Sequence, residues 1–140
     1  MPLLVCATVT RDPIIITELC SLVSDESCGA VVAFTGDVRN HDGGKPVATL
    51  TYEIHPTTHD QIKSIAQSVI ADRDVVKVAV THRYGEIPIG ETAFAVVVSA
   101  HHRQSAFEAA SMLVDEIKAK LPIWKHQVFI DGTDEWVNTA

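Results

Sequence analysis

The chain has 140 residues, 46% of them hydrophobic and 21% charged, which is one globular domain's worth of material and too apolar for intrinsic disorder. A formal net charge of −7, from 18 acidic against 11 basic side chains, argues against a nucleic-acid binder, which needs a basic footprint. No apolar run approaches the ~20 residues of a membrane span, and the first residues lack the basic and long apolar regions of a signal peptide.

In chain order, Leu3 to Thr10 is predicted as a strand. Asp12-Pro13 then supplies an N-cap and a first-turn proline for a short helix through Val23. Gly29 to Arg39 is a β-prone run, and the polar, glycine-containing stretch from Asn40 to Pro46 is expected to be a mobile loop. Val47 to Ile54 alternates, with Leu50, Tyr52 and Ile54 on one side. Thr58 with Gln61 three residues on predicts a capping box, and the helix behind it carries Ile62, Ile65, Ala66, Val69 and Ile70 at helical spacing. Asp72-Arg73-Asp74 ends that helix before a strand from Val75 to His82. Gly85 to Gly90 is a turn. Thr92 to Ala100 is so uniformly apolar that it must be buried on both faces, in the middle of a sheet. Ser105 with Glu108 predicts a second capping box, opening a helix to about Leu121 whose core stripe is Phe107, Ala110, Val114, Ile117 and Leu121. Pro122 stops it, and Trp124 to Ile130 is the last predicted strand before an acidic tail. The order βαββαββαβ predicts a single α+β domain, with a mixed or antiparallel sheet and helices packed on it.

Charge is unevenly spread along this frame. Between His101 and His126 there are four fixed cations (Arg103, Lys118, Lys120, Lys125), three histidines and three acids. A basic cluster on an acidic protein suits a small anionic ligand, and it equally suits a solvated helix face. His101-His102-Arg103 lie between a buried strand and a helix N-terminus, where N–H groups and the helix dipole favour an anion. The same spacing also fits a carbonyl-capping histidine and a surface arginine. Lys118 and Lys125 flank the corner made by Pro122 and Trp124, so both can converge on one pocket. A lysine in such a cation-rich, partly apolar place has a lowered pKa and can serve as base or nucleophile, whereas a last-turn lysine can also simply favour the helix dipole. Arg39 stands beside the expected loop. His55 and His59 have i,i+4 spacing, but Pro56 between them argues against a zinc site. No phosphate-binding, dinucleotide-binding or nucleophile-elbow motif occurs. Cys6, Cys20 and Cys28 lack C-x-x-C spacing, which fits inert thiols in a reducing cytoplasm.

Taken together, these segments resemble the large, catalytic subunit family of molybdopterin synthase. The matching residues are Gly29 to Val32 with Phe34, Gly36, Val38 and Arg39, then Leu50-Thr51-Tyr52-Glu53 and His82 to Glu86 with Gly90-Glu91. They continue with His102-Arg103, Ala106-Phe107, Lys118 through Pro122, and Trp124-Lys125. The resemblance runs from about Gly29 to Trp136; the first twenty-odd residues carry none of it.

The resemblance implies a hammerhead-like α+β fold over residues 1–140 and a cytoplasmic sulfurtransferase of molybdenum cofactor biosynthesis. Such an enzyme installs two sulfurs on cyclic pyranopterin monophosphate as the dithiolene of molybdopterin. The sulfur donor would be the C-terminal Gly-Gly thiocarboxylate of a small ubiquitin-like subunit, and a homodimer of large subunits would carry two of these in a heterotetramer. Lys118 and Lys125 would be catalytic; Arg39, His102 and Arg103, with both lysines, would bind substrate. No cofactor and no metal are implied. Two departures stand out: Gln127 occupies a position that is acidic in many members, and the sequence given ends at Ala140, where longer relatives continue into a basic tail expected to supply a further pocket cation. The alternative reading is a non-catalytic module using the same basic pocket for an anion or a partner's C-terminus.

Overall fold

The computed structural model describes residues 1–138. Twelve elements follow one another: β1 (Leu3–Thr10), α1 (Ile16–Val23), β2 (Ala30–Asp37), β3 (His41–Asp42), β4 (Lys45–Ile54), α2 (Thr58–Ile70), β5 (Lys77–Arg83), β6 (Gly85–Glu86), β7 (Thr92–Ala100), α3 (Arg103–Lys120), β8 (Ile123–Phe129) and β9 (Asp134–Val137). They form two sheets rather than the one expected. The first has the order β1-β5-β7-β2, parallel between β1 and β5 and antiparallel elsewhere. The second has the order β3-β4-β8-β9, with β6 also paired to β4. The α+β expectation is borne out. The short strands β3, β6 and β9 are additions to it.

The apolar run of β7 is interior, as its composition requires. Successive side chains point to opposite faces. Val96 and Val98 are fully buried in the main core with α2 and α3, whereas Ala95 and Val97 face Leu19 and Val23 of α1. The first sheet is therefore covered on both sides, which is why almost no polar residue interrupts β7. Leu50, Tyr52 and Ile123 of the second sheet join the same main core. Among the described residues no helix is long and apolar enough to cross a membrane.

Local chemistry departs from the expectations at every helix start. Asp12-Pro13 do not open α1; the Asp12 N–H instead donates to Thr10 Oγ1 at 3.0 Å, and the helix begins at Ile16. Thr58 does not cap α2, because its side chain is diverted to the α3–β8 corner; Thr57 is the N-cap. Helix α3 starts at Arg103, two residues before the predicted box, with His102 at the N-cap. Its buried stripe is Ala106, Ala109, Ala110, Leu113 and Ile117, while Phe107 is 61% exposed. Alanines let α3 approach β2 and β7 closely, and a phenylalanine in that seam would hold them apart.

Asn40 to Pro46 is not a mobile loop. His41 pairs with Pro46 and Asp42 with Lys45 across a two-residue turn, Gly43-Gly44, with φ of 57° and 79°. Positive φ at both positions is what a tight hairpin of this twist demands, and glycine adopts it without strain. The acidic tail likewise contains β9, hydrogen-bonded to β8.

Candidate active site

A cleft of about 630 Å³, counted to its open mouth, lies where the end of β2, the β3–β4 hairpin and β8 meet the last turn of α3. Register explains which side chains reach it. Tyr52 is opposite Lys125 and Leu50 opposite Gln127, and directly paired residues share a face. Lys125 and Gln127, two apart on β8, therefore both line the cleft. His126 between them faces the other way, stacked on Trp136 at 4.3 Å between ring centroids. Arg39, just past β2, and Lys118, in the last turn of α3, complete the cationic lining. Three separate segments thus each place one cation around one small opening.

The two lysines of the α3 C-terminus are unequal. Lys118 lines the cleft, and because the cleft opens to solvent it keeps exposed surface. Desolvation nevertheless lowers its pKa below the usual lysine value, and the Lys125 charge adds to the shift. Lys120 lies outside the cleft, with its ammonium 2.6 Å from Glu116 one turn back. That division follows from the roughly 200° between residues two apart on a helix.

The anionic side of the cleft comes from the hairpin. Asp42 Oδ1 is 3.6 Å from Arg39 Nη2, and Asp42 Oδ2 accepts from Gln127 Nε2 at 2.6 Å. The Gln127 amide, with Lys125 and Arg39 behind it, holds the Asp42 carboxyl below the usual carboxylate range despite burial.

Beneath the floor lies His82, fully buried. Its ring stacks on Phe94 at 5.2 Å and meets Tyr52 edge-on at 4.8 Å, and both of those side chains line the cleft. Nδ1 donates to the Arg83 carbonyl at 2.8 Å, which leaves Nε2 as the unprotonated nitrogen; it has no hydrogen-bond partner among the described residues. Burial, with the Lys118 charge adding to it, pulls the His82 pKa down to about 4. Burial also pushes Tyr52 up to about 12. The floor is therefore neutral near pH 7, and the charge sits on the walls.

His102 and Arg103 are elsewhere. They are exposed and line a shallow opening with Gly29 at the other end of α3. The Gly29 N–H donates to the His101 carbonyl at 3.3 Å, and a Cβ at Gly29 would stand 2.9 Å from that oxygen. Fifteen residues separate Arg103 from Lys118 on the helix, or roughly 22 Å. Of the expected site residues, then, Arg39, Lys118 and Lys125 converge, while His102 and Arg103 do not join them within one chain.

A family model described as MoaE protein matches residues 9–120. The chain belongs to the MoaE family. It is an enzyme of molybdenum cofactor biosynthesis, a sulfurtransferase of the molybdopterin synthase catalytic-subunit kind. The molybdopterin synthase catalytic subunit of Aspergillus niger is 37% identical over 130 residues, covering 92% of this chain and 72% of that protein. Its counterpart from Pyrococcus abyssi is 37% identical over 123 residues, covering 87% and 82%. The crystal structure of molybdopterin synthase from Staphylococcus aureus superposes with a TM-score of 0.85 at 28% identity, over 94% of this chain and 96% of that one. A complex of subunits 1 and 2 of molybdopterin-converting factor from Helicobacter pylori gives 0.71 at 21% identity, over 94% and 88%, a likeness of fold alone.

Sequence reasoning gave no site role to four residues in and under this MoaE cleft, Asp42, Tyr52, His82 and Gln127, although Tyr52 and His82 are among those that carry the resemblance and Gln127 is one of its departures. Signals for some were present. Gly43-Gly44 between two polar residues is a hairpin signature that would have brought Asp42 back toward β4. Lys125 and Gln127 share a strand face by spacing alone. Nothing in the local sequence marks His82, whose place depends on how β5 packs against Phe94 and Tyr52.

Proposed function

We propose that the cleft receives the C-terminal thiocarboxylate of a small ubiquitin-like subunit together with cyclic pyranopterin monophosphate, and that sulfur transfer there builds the dithiolene of molybdopterin. The observation that carries this reading is the convergence of Arg39, Lys118 and Lys125 on one opening. Thiocarboxylate and phosphate are both anions and repel each other in a confined space. Three cations offset that repulsion and stabilise charge that develops as the phosphate ring opens and sulfur adds. Lys118, with its lowered pKa, is suited to move protons when water cleaves the acyl linkage left on the tail. A Gly-Gly tail offers almost no side chain to recognise, so its selectivity comes from exclusion of larger residues and from the cationic end of the cleft.

The same reading includes a homodimer. His102 and Arg103 lie too far from Lys118 to touch one small ligand from the same chain, so a role for them in substrate binding requires a second copy. An apolar groove of Val32, Phe34, Phe107, Ala110 and Val114 runs beside β2, an edge strand of its sheet. A second copy seated there would cover both the groove and the strand edge. With two small subunits the assembly is a heterotetramer.

The test is reconstitution. Purified chain, thiocarboxylated small subunit and precursor should yield molybdopterin, and a small subunit lacking its last two residues should yield none. Binding of the small subunit without any product would favour the non-catalytic module instead.

A further inference from the structure

Gln127 is 3% exposed in the wall of the cleft, and its Nε2 donates both to Asp42 Oδ2 at 2.6 Å and to Glu135 Oε1 at 2.7 Å. Ionised carboxylates only accept, so the amide must turn its NH2 toward both; turned round, its own oxygen would oppose two others. Asp42 reaches on to Arg39 through its second oxygen, at 3.6 Å. A buried neutral amide is thereby linked through one carboxylate to a guanidinium whose side chain is otherwise 66% exposed at the mouth of the cleft. A long exposed side chain has many conformations and holds one geometry only when something anchors it. Asp42 sits on a two-residue strand whose turn consists of glycines, so its own carboxylate position depends on the contact with β8.

We propose that Gln127 is a positioning residue that acts through Asp42 to hold Arg39 over the cleft. The inference rests on the functional reading above and deepens it. An amide is the right group at this point because it brings two donors and no charge. A carboxylate in its place would oppose Asp42 and Glu135, release Asp42 toward the incoming anions, and offset part of the positive field.

The experiment is steady-state kinetics with thiocarboxylated small subunit, varying cyclic pyranopterin monophosphate. The variants are Gln127→Met, Gln127→Glu, Arg39→Ala and the double variant Arg39→Ala/Gln127→Met, each first checked for an intact thermal transition. Gln127→Met should raise KM about tenfold with kcat within about twofold, as expected for lost ground-state anchoring. In the Arg39→Ala background the same change should add little, because the residue it serves is gone. Gln127→Glu should raise KM at least as much as Gln127→Met at about pH 8, because an ionised carboxylate there can donate to neither Asp42 nor Glu135. Equal KM effects of Gln127→Met with and without Arg39 would mean a merely structural role and overturn the inference. So would an unchanged KM in Gln127→Met while Arg39→Ala raises it. An unchanged KM in Arg39→Ala would instead overturn the reading of the cleft itself. If Gln127→Glu does not fold, the near-isosteric Gln127→Met and its double variant decide alone.

Discussion

Thr58 Oγ1 donates to the carbonyl oxygen of Pro122 at 2.7 Å while accepting the His55 N–H at 2.9 Å. One fully buried hydroxyl thus ties the start of α2 to the corner where α3 gives way to β8. That corner separates Lys118 from Lys125, so their mutual placement in the cleft depends on it. Thr58→Val keeps the shape and removes both hydrogen bonds, leaving partly buried backbone groups unpaired at a cost of about 1–3 kcal/mol. Denaturant titration should show a lower midpoint with an unchanged slope. Thr58→Ser should recover most of the loss.

The lysines offer the sharpest functional comparison. Lys118→Ala should nearly abolish sulfur transfer without unfolding the chain, because it removes a charge in the cleft rather than core volume. Lys125→Ala should impair turnover strongly, mainly through weaker anion binding, with a marked dependence on added salt. Lys120→Ala should be close to neutral, since it breaks only an exposed i,i+4 pair with Glu116, worth about 0.3–0.5 kcal/mol. Product formation per active subunit is the measurement. Equal losses at Lys118 and Lys120 would point to a diffuse basic patch.

His82 makes stability depend on pH in a direction that can be worked out. Its pKa is about 4 in the folded chain against an ordinary 6.5, so between those values the unfolded chain binds the extra proton. Stability from this group is fully present above about pH 6.5 and falls as the pH drops toward 4, by about 3 kcal/mol in all. Urea unfolding of the wild type and of His82→Phe at several pH values should differ in slope across that window. Parallel curves would mean that His82 is not the group responsible.

The hairpin is a test of backbone strain alone. A Cβ at Gly44 meets nothing within 4 Å, yet φ there is 79°. Gly44→Val therefore costs about 1–2 kcal/mol through conformation rather than collision. Because the hairpin carries Asp42, the same variant should raise KM for the precursor more than it lowers kcat.

Elements whose local pattern has one physical solution are legible in the order of amino acids alone. Thr92 to Ala100 admits no exposed face, so it had to be interior, and it is. The positions of Lys118 and Lys120 on opposite sides of α3 follow from helical geometry, and the strand face of Leu50 and Tyr52 from alternation. Tertiary structure decided what depends on competition between neighbours. Thr58 had a cap available and took the Pro122 carbonyl instead, because packing brought that oxygen within reach of a buried hydroxyl. Helical spacing placed Phe107 beside Ala106 and Ala110, but the close approach of β2 and β7 selected the alanine side and left the ring outside. The gathering of Arg39, Asp42, Lys118, Lys125 and Gln127 from four segments was set by the meeting of two sheets, whereas the distance of His102 and Arg103 from Lys118 is the length of α3 itself. Local pattern specifies which residues share a face; only the packed partner specifies what that face meets.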